Sequence, residues 1–126
     1  MTNADLKRVL YVDDDAMLRA LVRLLLEKRG GLVVEDGCDP GQVVAQARAF
    51  GPDMILLDMN LPGRSGLEVL ESLRAEADLR DVPVIFVTAG ATTEDGARYR
   101  ALGAAGVIAK PFSPATFLTR VRALWQ

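Results

Sequence analysis

Four hydrophobic runs in this chain end on side chains that handle metal ions and phosphate. Val9-Leu10-Tyr11-Val12 delivers Asp13, Asp14 and Asp15. Met54-Ile55-Leu56-Leu57 delivers Asp58, Val84-Ile85-Phe86-Val87 delivers Thr88, and Val107-Ile108-Ala109 delivers Lys110. An aspartate after a strand commonly caps the next helix, a contribution of about 1 kcal/mol, and Asp15 is read that way. Asp13, Asp14 and Asp58 together need another cause. Two carboxylates about 4 Å apart repel by roughly 1 kcal/mol in water and about 4 kcal/mol at an effective dielectric near 20, more than a further cap returns. A cation removes that conflict, and hard carboxylate oxygens suit Mg²⁺ or Mn²⁺. Because Mg²⁺ usually shares its shell with phosphate oxygens, the set reads as a phosphoryl-transfer centre. Asp58 is then the candidate nucleophile, while Lys110 supplies a point charge and Thr88 a hydroxyl donor to the transferring oxygens.

Such a centre requires elements that bring distant segments to one rim. Strands are expected at Arg8–Val12, Leu32–Val34, Met54–Leu57, Val84–Val87 and Val107–Ala109, each apolar with little alternation, as in strands buried on both faces of a parallel sheet. Helical segments between them carry recognisable ends. Arg29-Gly30-Gly31 offers a basic last turn and a glycine cap, and Asp39-Pro40 places a capping acid before a proline at the first helical position. Ser65 and Glu68 fit a capping box, Leu102-Gly103 closes a fourth helix, and Ser113-Pro114 opens a fifth. Strict alternation predicts an α/β fold, a doubly wound five-stranded parallel sheet with five helices, forming a single domain over residues 1–126 with no output domain. In sheets of this type functional residues gather beyond the carboxyl ends of the strands, where all four runs deliver their polar residues.

Composition narrows the chemistry. The 126 residues carry a net charge of −2 and no basic cluster, which argues against nucleic-acid binding through phosphates. No apolar stretch approaches the ~18 residues of a membrane span, and the start "MTNADLKRVL" does not read as a signal peptide. One cysteine, Cys38, excludes an internal disulfide and suits the cytoplasm; it is read as a small residue at a helix entry. The chain has no histidine, hence no Ser-His or Cys-His dyad and no phosphohistidine of its own.

The segments "VLYVDDD", "ILLDMNLPGRSG", "VIFVTAG" and "GVIAKPFS", in this order and spacing, resemble the receiver domain of two-component response regulators. The resemblance covers essentially the whole chain and implies the flavodoxin-like (βα)5 receiver fold. It further implies that Asp58 accepts a phosphoryl group from a histidine of a sensor histidine kinase or histidine phosphotransfer protein. Asp14 and Asp58 would ligate Mg²⁺ with the backbone carbonyl of Asn60, Asp13 would act mainly through water, and Thr88 and Lys110 would hold the phosphoryl oxygens. A cis Lys110–Pro111 bond is also implied, with Asn60 and Gly90 at the positions that tune dephosphorylation. On this reading the protein is no enzyme beyond its own phosphorylation and dephosphorylation, and it regulates an unidentified downstream protein by contact. Rival readings are a haloacid dehalogenase-type phosphatase, suggested by Asp13-x-Asp15, and a degenerate receiver serving only as a binding module. The phosphatase needs an acid pair after the lysine, and residues 111–126 contain no Asp or Glu.

One departure from the family stands out. Receivers usually carry Tyr or Phe three positions before the lysine, and here that position is Val107, whose χ1 is stiff. The segment after Thr88 contains Gly96, which costs about 1 kcal/mol relative to alanine in a helix, so this helix is expected to be marginal and to reorder on signalling. Tyr99 offers a substitute for the absent ring, but core packing is the preferred reading. On the first helix Leu18, Leu21, Val22 and Leu25 form the expected core face. Met17, Ala20 and Leu24 make a second stripe, which the resemblance assigns to docking of the kinase's helical bundle. On the last helix Phe117, Val121 and Leu124 read as core, with Leu118 and Trp125 as a surface or a plug.

Overall fold

A computed structural model describes residues 5–89 and 93–125. Among these, β1 (Arg8–Val12), β2 (Val33–Gly37), β3 (Met54–Leu57), β6 (Val84–Ala89) and β7 (Gly106–Lys110) form a parallel sheet in the order β2-β1-β3-β6-β7. The helices are α1 (Ala16–Leu24), α2 (Val43–Phe50), α3 (Gly66–Arg74), α4 (Thr93–Ala101) and α5 (Pro114–Leu124). The expected α/β architecture is thus realised.

Both sheet faces are covered, which is why the strands read as apolar without alternation. Val9 and Tyr11 of β1 pack with Val22, Leu26, Phe117 and Val121 on the α1/α5 side. Leu10 and Val12 pack with Val43, Ala47, Val69 and Leu73 on the α2/α3 side. The start of β2 is one residue later than expected and the strand runs on through Glu35, Asp36 and Gly37. As an edge strand bonded only to β1, it tolerates polar residues that the apolar pattern excluded. Two-residue strands β4 (Asn60–Leu61) and β5 (Arg64–Ser65) form a small antiparallel hairpin after Asp58, too short to leave a periodic signal.

Most helix ends follow the expected chemistry. Asp15 caps α1, its side chain accepting from the Leu18 N–H at 3.1 Å. A π turn, Leu25–Arg29, prolongs that helix, and Gly31 then takes the left-handed φ of +66° that a glycine permits. Asp39 caps a 3-10 turn, Pro40–Gln42, that leads into α2. Ser65 and Glu68 form the reciprocal capping box of α3. Ser113 caps α5 through its backbone position, with no side-chain cap bond. Leu21 departs from expectation: Val22 of α1 and Leu25 and Leu26 of the π turn are buried and Leu18 is half-buried, which leaves Leu21 exposed on the flank.

Gly66 matters for the site. A Cβ there would lie 2.8 Å from the Asp58 carbonyl oxygen, 2.9 Å from Met59 Cα and 2.9 Å from Phe86 Cε1. Two of those neighbours are backbone atoms that cannot swing away. Gly66→Ala is therefore expected to destabilise the domain by about 1–3 kcal/mol. Urea denaturation should show a lower midpoint at unchanged slope.

Candidate functional site

Strand register assembles the site. Val12 of β1 pairs with Leu57 of β3, so Asp13 and Asp58 leave the sheet side by side, and the Asp58 N–H donates to the Val12 carbonyl at 2.9 Å. On the other side of β3, Thr88 of β6 pairs with Ala109, and Ala89 with Lys110. Asp13, Asp58 and Thr88 are the buried polar residues of the described chain. Asp14 is exposed, yet one carboxylate oxygen from each of Asp13, Asp14 and Asp58 lies within 4.8 Å of the others.

Lys110 closes this group. Its Nζ donates to Asp13 Oδ2 at 2.7 Å and to Asp58 Oδ2 at 3.3 Å. The Asp15 N–H donates to Asp13 Oδ1 at 2.9 Å, and the Asn60 N–H to Asp58 Oδ1 at 3.1 Å. The Lys110–Pro111 bond is cis, in agreement with the resemblance. Gly90 lies outside the described residues. Two contributors went unnoticed in the sequence. Tyr11 donates its hydroxyl to Asp13 Oδ2 at 2.7 Å, and Arg19 donates to the Asp13 carbonyl at 2.7 Å. The period of a strand could have revealed Tyr11, which precedes Asp13 by two positions and shares its face; inside an apolar run it read as core.

Electrostatics separate the two enclosed acids. Burial and the neighbouring Asp13 charge push the Asp58 carboxyl above the usual range, against the Asn60 N–H and Lys110. Burial acts on Asp13 in the same sense, but hydrogen bonds from Lys110, the Asp15 N–H and Tyr11 outweigh it and hold Asp13 below the usual range. For Lys110, burial favours the neutral amine, and the Asp13 and Asp58 carboxylates overcome it, raising its pKa. Burial, then Asp13, pushes the Tyr11 phenol upward, so it remains a donor.

Around this centre the remaining expectations sort clearly. Val107 is buried and pairs with Phe86, whose ring meets Tyr99 of α4 edge-on at 5.3 Å between centroids. Tyr99 is accordingly core packing. Met17 is 85% exposed and Leu24 54%, beside a groove of about 410 Å³ lined by Leu18, Leu21, Ala89, Lys110, Pro111 and Phe112. Leu118 and Trp125 are half-buried against the α1/α5 core. Cys38 is exposed with a free thiol. No helix among the described residues is long and apolar enough to cross a membrane.

Comparison with known proteins agrees with this arrangement. Residues 9–122 match the family described as the response regulator receiver domain. Phosphate regulon transcriptional regulatory protein PhoB of Klebsiella pneumoniae is 42% identical over 120 residues, 95% of this chain and 52% of PhoB. DNA-binding response regulator MtrA of Mycobacterium tuberculosis is 38% identical over 119 residues, 93% of this chain and 50% of MtrA. The chain thus spans about half the length of the curated relatives it matches. Among solved structures, chemotaxis response regulator CheY4 of Vibrio cholerae superposes with a TM-score of 0.86 at 29% identity, covering 95% of this chain and 99% of that one. The BeF3-activated receiver domain of Klebsiella pneumoniae RstA gives 0.83 at 26% identity, covering 95% and 100%. The phosphatase reading finds no support in these relatives.

The raised Asp58 pKa carries a sign. A carboxyl whose folded value exceeds its unfolded value destabilises the fold once ionised; the penalty is absent below the unfolded value and complete above the folded one. Asp58→Asn should therefore raise the melting temperature at pH 7 without divalent metal, by an effect on the order of 1 kcal/mol or about 4 °C in a domain of this size. The gain should fade as the pH is lowered through the Asp58 titration, as calorimetry at several pH values would record.

Proposed function

The chain belongs to the response regulator receiver domain family of two-component signalling, and from that membership we propose that Asp58 is its phosphoacceptor. The observation that carries the proposal is the enclosure of Asp58 at the end of β3, beside Asp13 and Asp14 and 3.3 Å from the Lys110 ammonium. Receiver domains are phosphorylated by histidine kinases, and a donor histidine must come from another molecule because this chain has none. In the transfer an Asp58 carboxylate oxygen forms a bond to phosphorus as the phosphorus–nitrogen bond of the donor breaks, and the imidazole leaves with the electron pair. Lys110 neutralises charge on the phosphoryl oxygens, and Thr88 offers them a hydroxyl donor. The Asn60 N–H holds the other Asp58 oxygen in place. Water later attacks the phosphorus, the bond to the Asp58 oxygen breaks, and inorganic phosphate leaves with the carboxylate restored; the chemistry is the domain's own phosphorylation and release, and Asn60 borders that site.

The donor set fits a hard divalent cation: among the described residues three carboxylates converge with the Lys110 ammonium bonded to two of them. Asp14, Asp58 and the Asn60 carbonyl would hold Mg²⁺ or Mn²⁺, with Asp13 acting through water. Bound there, the ion would offset the charge that builds on the phosphoryl oxygens. With a net charge of −2, the DNA binding in the name of MtrA is not carried over, and residues 1–126 are read as one receiver unit acting by protein contact in the cytoplasm.

Met17, Leu24 and the adjoining groove support docking of a helical phosphodonor on α1. Incubation with acetyl phosphate and Mg²⁺ should label the wild type, and neither Asp58→Asn nor a chelator-treated sample. In the same assay Met17→Glu with Leu24→Glu should keep labelling by acetyl phosphate and lose roughly tenfold or more in rate from a phosphohistidine protein. Equal losses with both donors would remove the docking assignment.

Output is proposed to pass through α4. Gly96 is buried in this helix, and a Cβ there would meet only the Arg100 guanidinium, at 3.7 Å. No tight packing therefore demands the glycine, and its helix penalty stands uncompensated. Hydrogen exchange over residues 93–101 should change when a phosphoryl mimic is added with Mg²⁺. Identical protection in both states would rule out reordering of α4.

A further inference from the structure

We infer that Tyr11 is a positioning residue that holds the Asp13 carboxylate while Lys110 is transferred to the phosphoryl group; this rests on Asp58 being the phosphoacceptor. The Tyr11 ring is fully buried in the α1/α5 core, and its hydroxyl emerges at one atom of the site. That atom, Asp13 Oδ2, receives Tyr11 Oη at 2.7 Å and Lys110 Nζ at 2.7 Å, while Oδ1 takes the Asp15 N–H at 2.9 Å. A carboxylate has about four acceptor positions, so Asp13 is nearly saturated by donors from three segments.

The lysine cannot serve both partners equally. In the resting geometry Lys110 is 2.7 Å from Asp13 and 3.3 Å from Asp58, so Asp13 holds it more tightly. A phosphoryl group on Asp58 needs that ammonium, and moving it strips one donor from a fully buried carboxylate. An enclosed acceptor that loses its partner is expensive. The Tyr11 hydroxyl remains on Oδ2 when the lysine leaves, so the acid keeps a donor and its position. A hydrophobic residue at 11 would fill the same core space without that donor. Among the described residues the Tyr11 hydroxyl bonds Asp13 and not Asp58, so it acts through Asp13 and Lys110.

Tyr11→Phe keeps the ring and removes the hydroxyl. With acetyl phosphate at saturating Mg²⁺, the maximal phosphorylation rate of Tyr11→Phe is expected to fall roughly tenfold. The acetyl phosphate concentration at half-maximal rate should stay nearly unchanged. The same substitution in a Lys110→Ala background should cause no further fall, because the lysine transfer that it assists is gone. Assays are run below the melting transition of each variant, checked by circular dichroism. A Tyr11→Phe rate equal to wild type overturns the inference, and so does an equal fall in both backgrounds, which marks a merely structural hydroxyl. Failure of the wild type itself to be labelled at Asp58 overturns the phosphoacceptor reading first, and this one with it.

Discussion

Two enclosed carboxylates compete for one ammonium, and much of the molecule is arranged around that competition. Asp13 and Asp58 emerge from adjacent strands whose hydrogen bonding forbids them to separate. At such distances inside a protein their repulsion amounts to several kcal/mol. Lys110 bonds both acids, yet burial first and the Asp13 charge after it leave the Asp58 carboxyl above its usual range, while Asp13 is held below it. Asp13 has gathered the better set of donors, and Asp58 is left the less stabilised carboxylate. The result is a cluster of two buried acids and an exposed third, Asp14, with the Lys110 ammonium bonded to the buried pair.

The fold holds this arrangement by close approach more than by bulk. Gly66 lets the start of α3 press directly against the backbone at Asp58 and Met59 and against the Phe86 ring of β6, with no room for a Cβ at that point. The Gly66 N–H also donates to the Met59 carbonyl at 2.6 Å, tying the loop after Asp58 to the helix. The capping box on Ser65 and Glu68 then sets where that helix begins.

That contact bears on the missing aromatic at position 107. Val107 and Phe86 are partners across β7 and β6, and Phe86 already supports Tyr99 of α4 edge-on. An aromatic ring is therefore present on this face, supplied by α4 rather than by β7. Its edge-to-face contact is worth on the order of 1 kcal/mol, comparable with the penalty of Gly96 in the same helix. The two terms are of opposite sign within α4.

The candidate residues were legible from local sequence: Asp13, Asp14, Asp58, Thr88 and Lys110 all follow or end apolar runs. Residue type and hydrophobic period depend on near neighbours, so they survive without a structure. Caps at Asp15, Asp39 and Ser65 were readable for the same reason, since each bonds a backbone group within three positions. What the tertiary structure alone decided is non-local. Lys110 reaches Asp13 across 97 positions of sequence, and the preference of that lysine for Asp13 over Asp58 is a matter of tenths of an ångström. The polar tail of β2 depended on its place at the sheet edge, and Leu21 fell outside the core because of how α1 rolls onto the sheet. Tyr11 illustrates the limit best: its sequence context reads as plain core, and only the shared lone pairs of one buried oxygen assign it to the site.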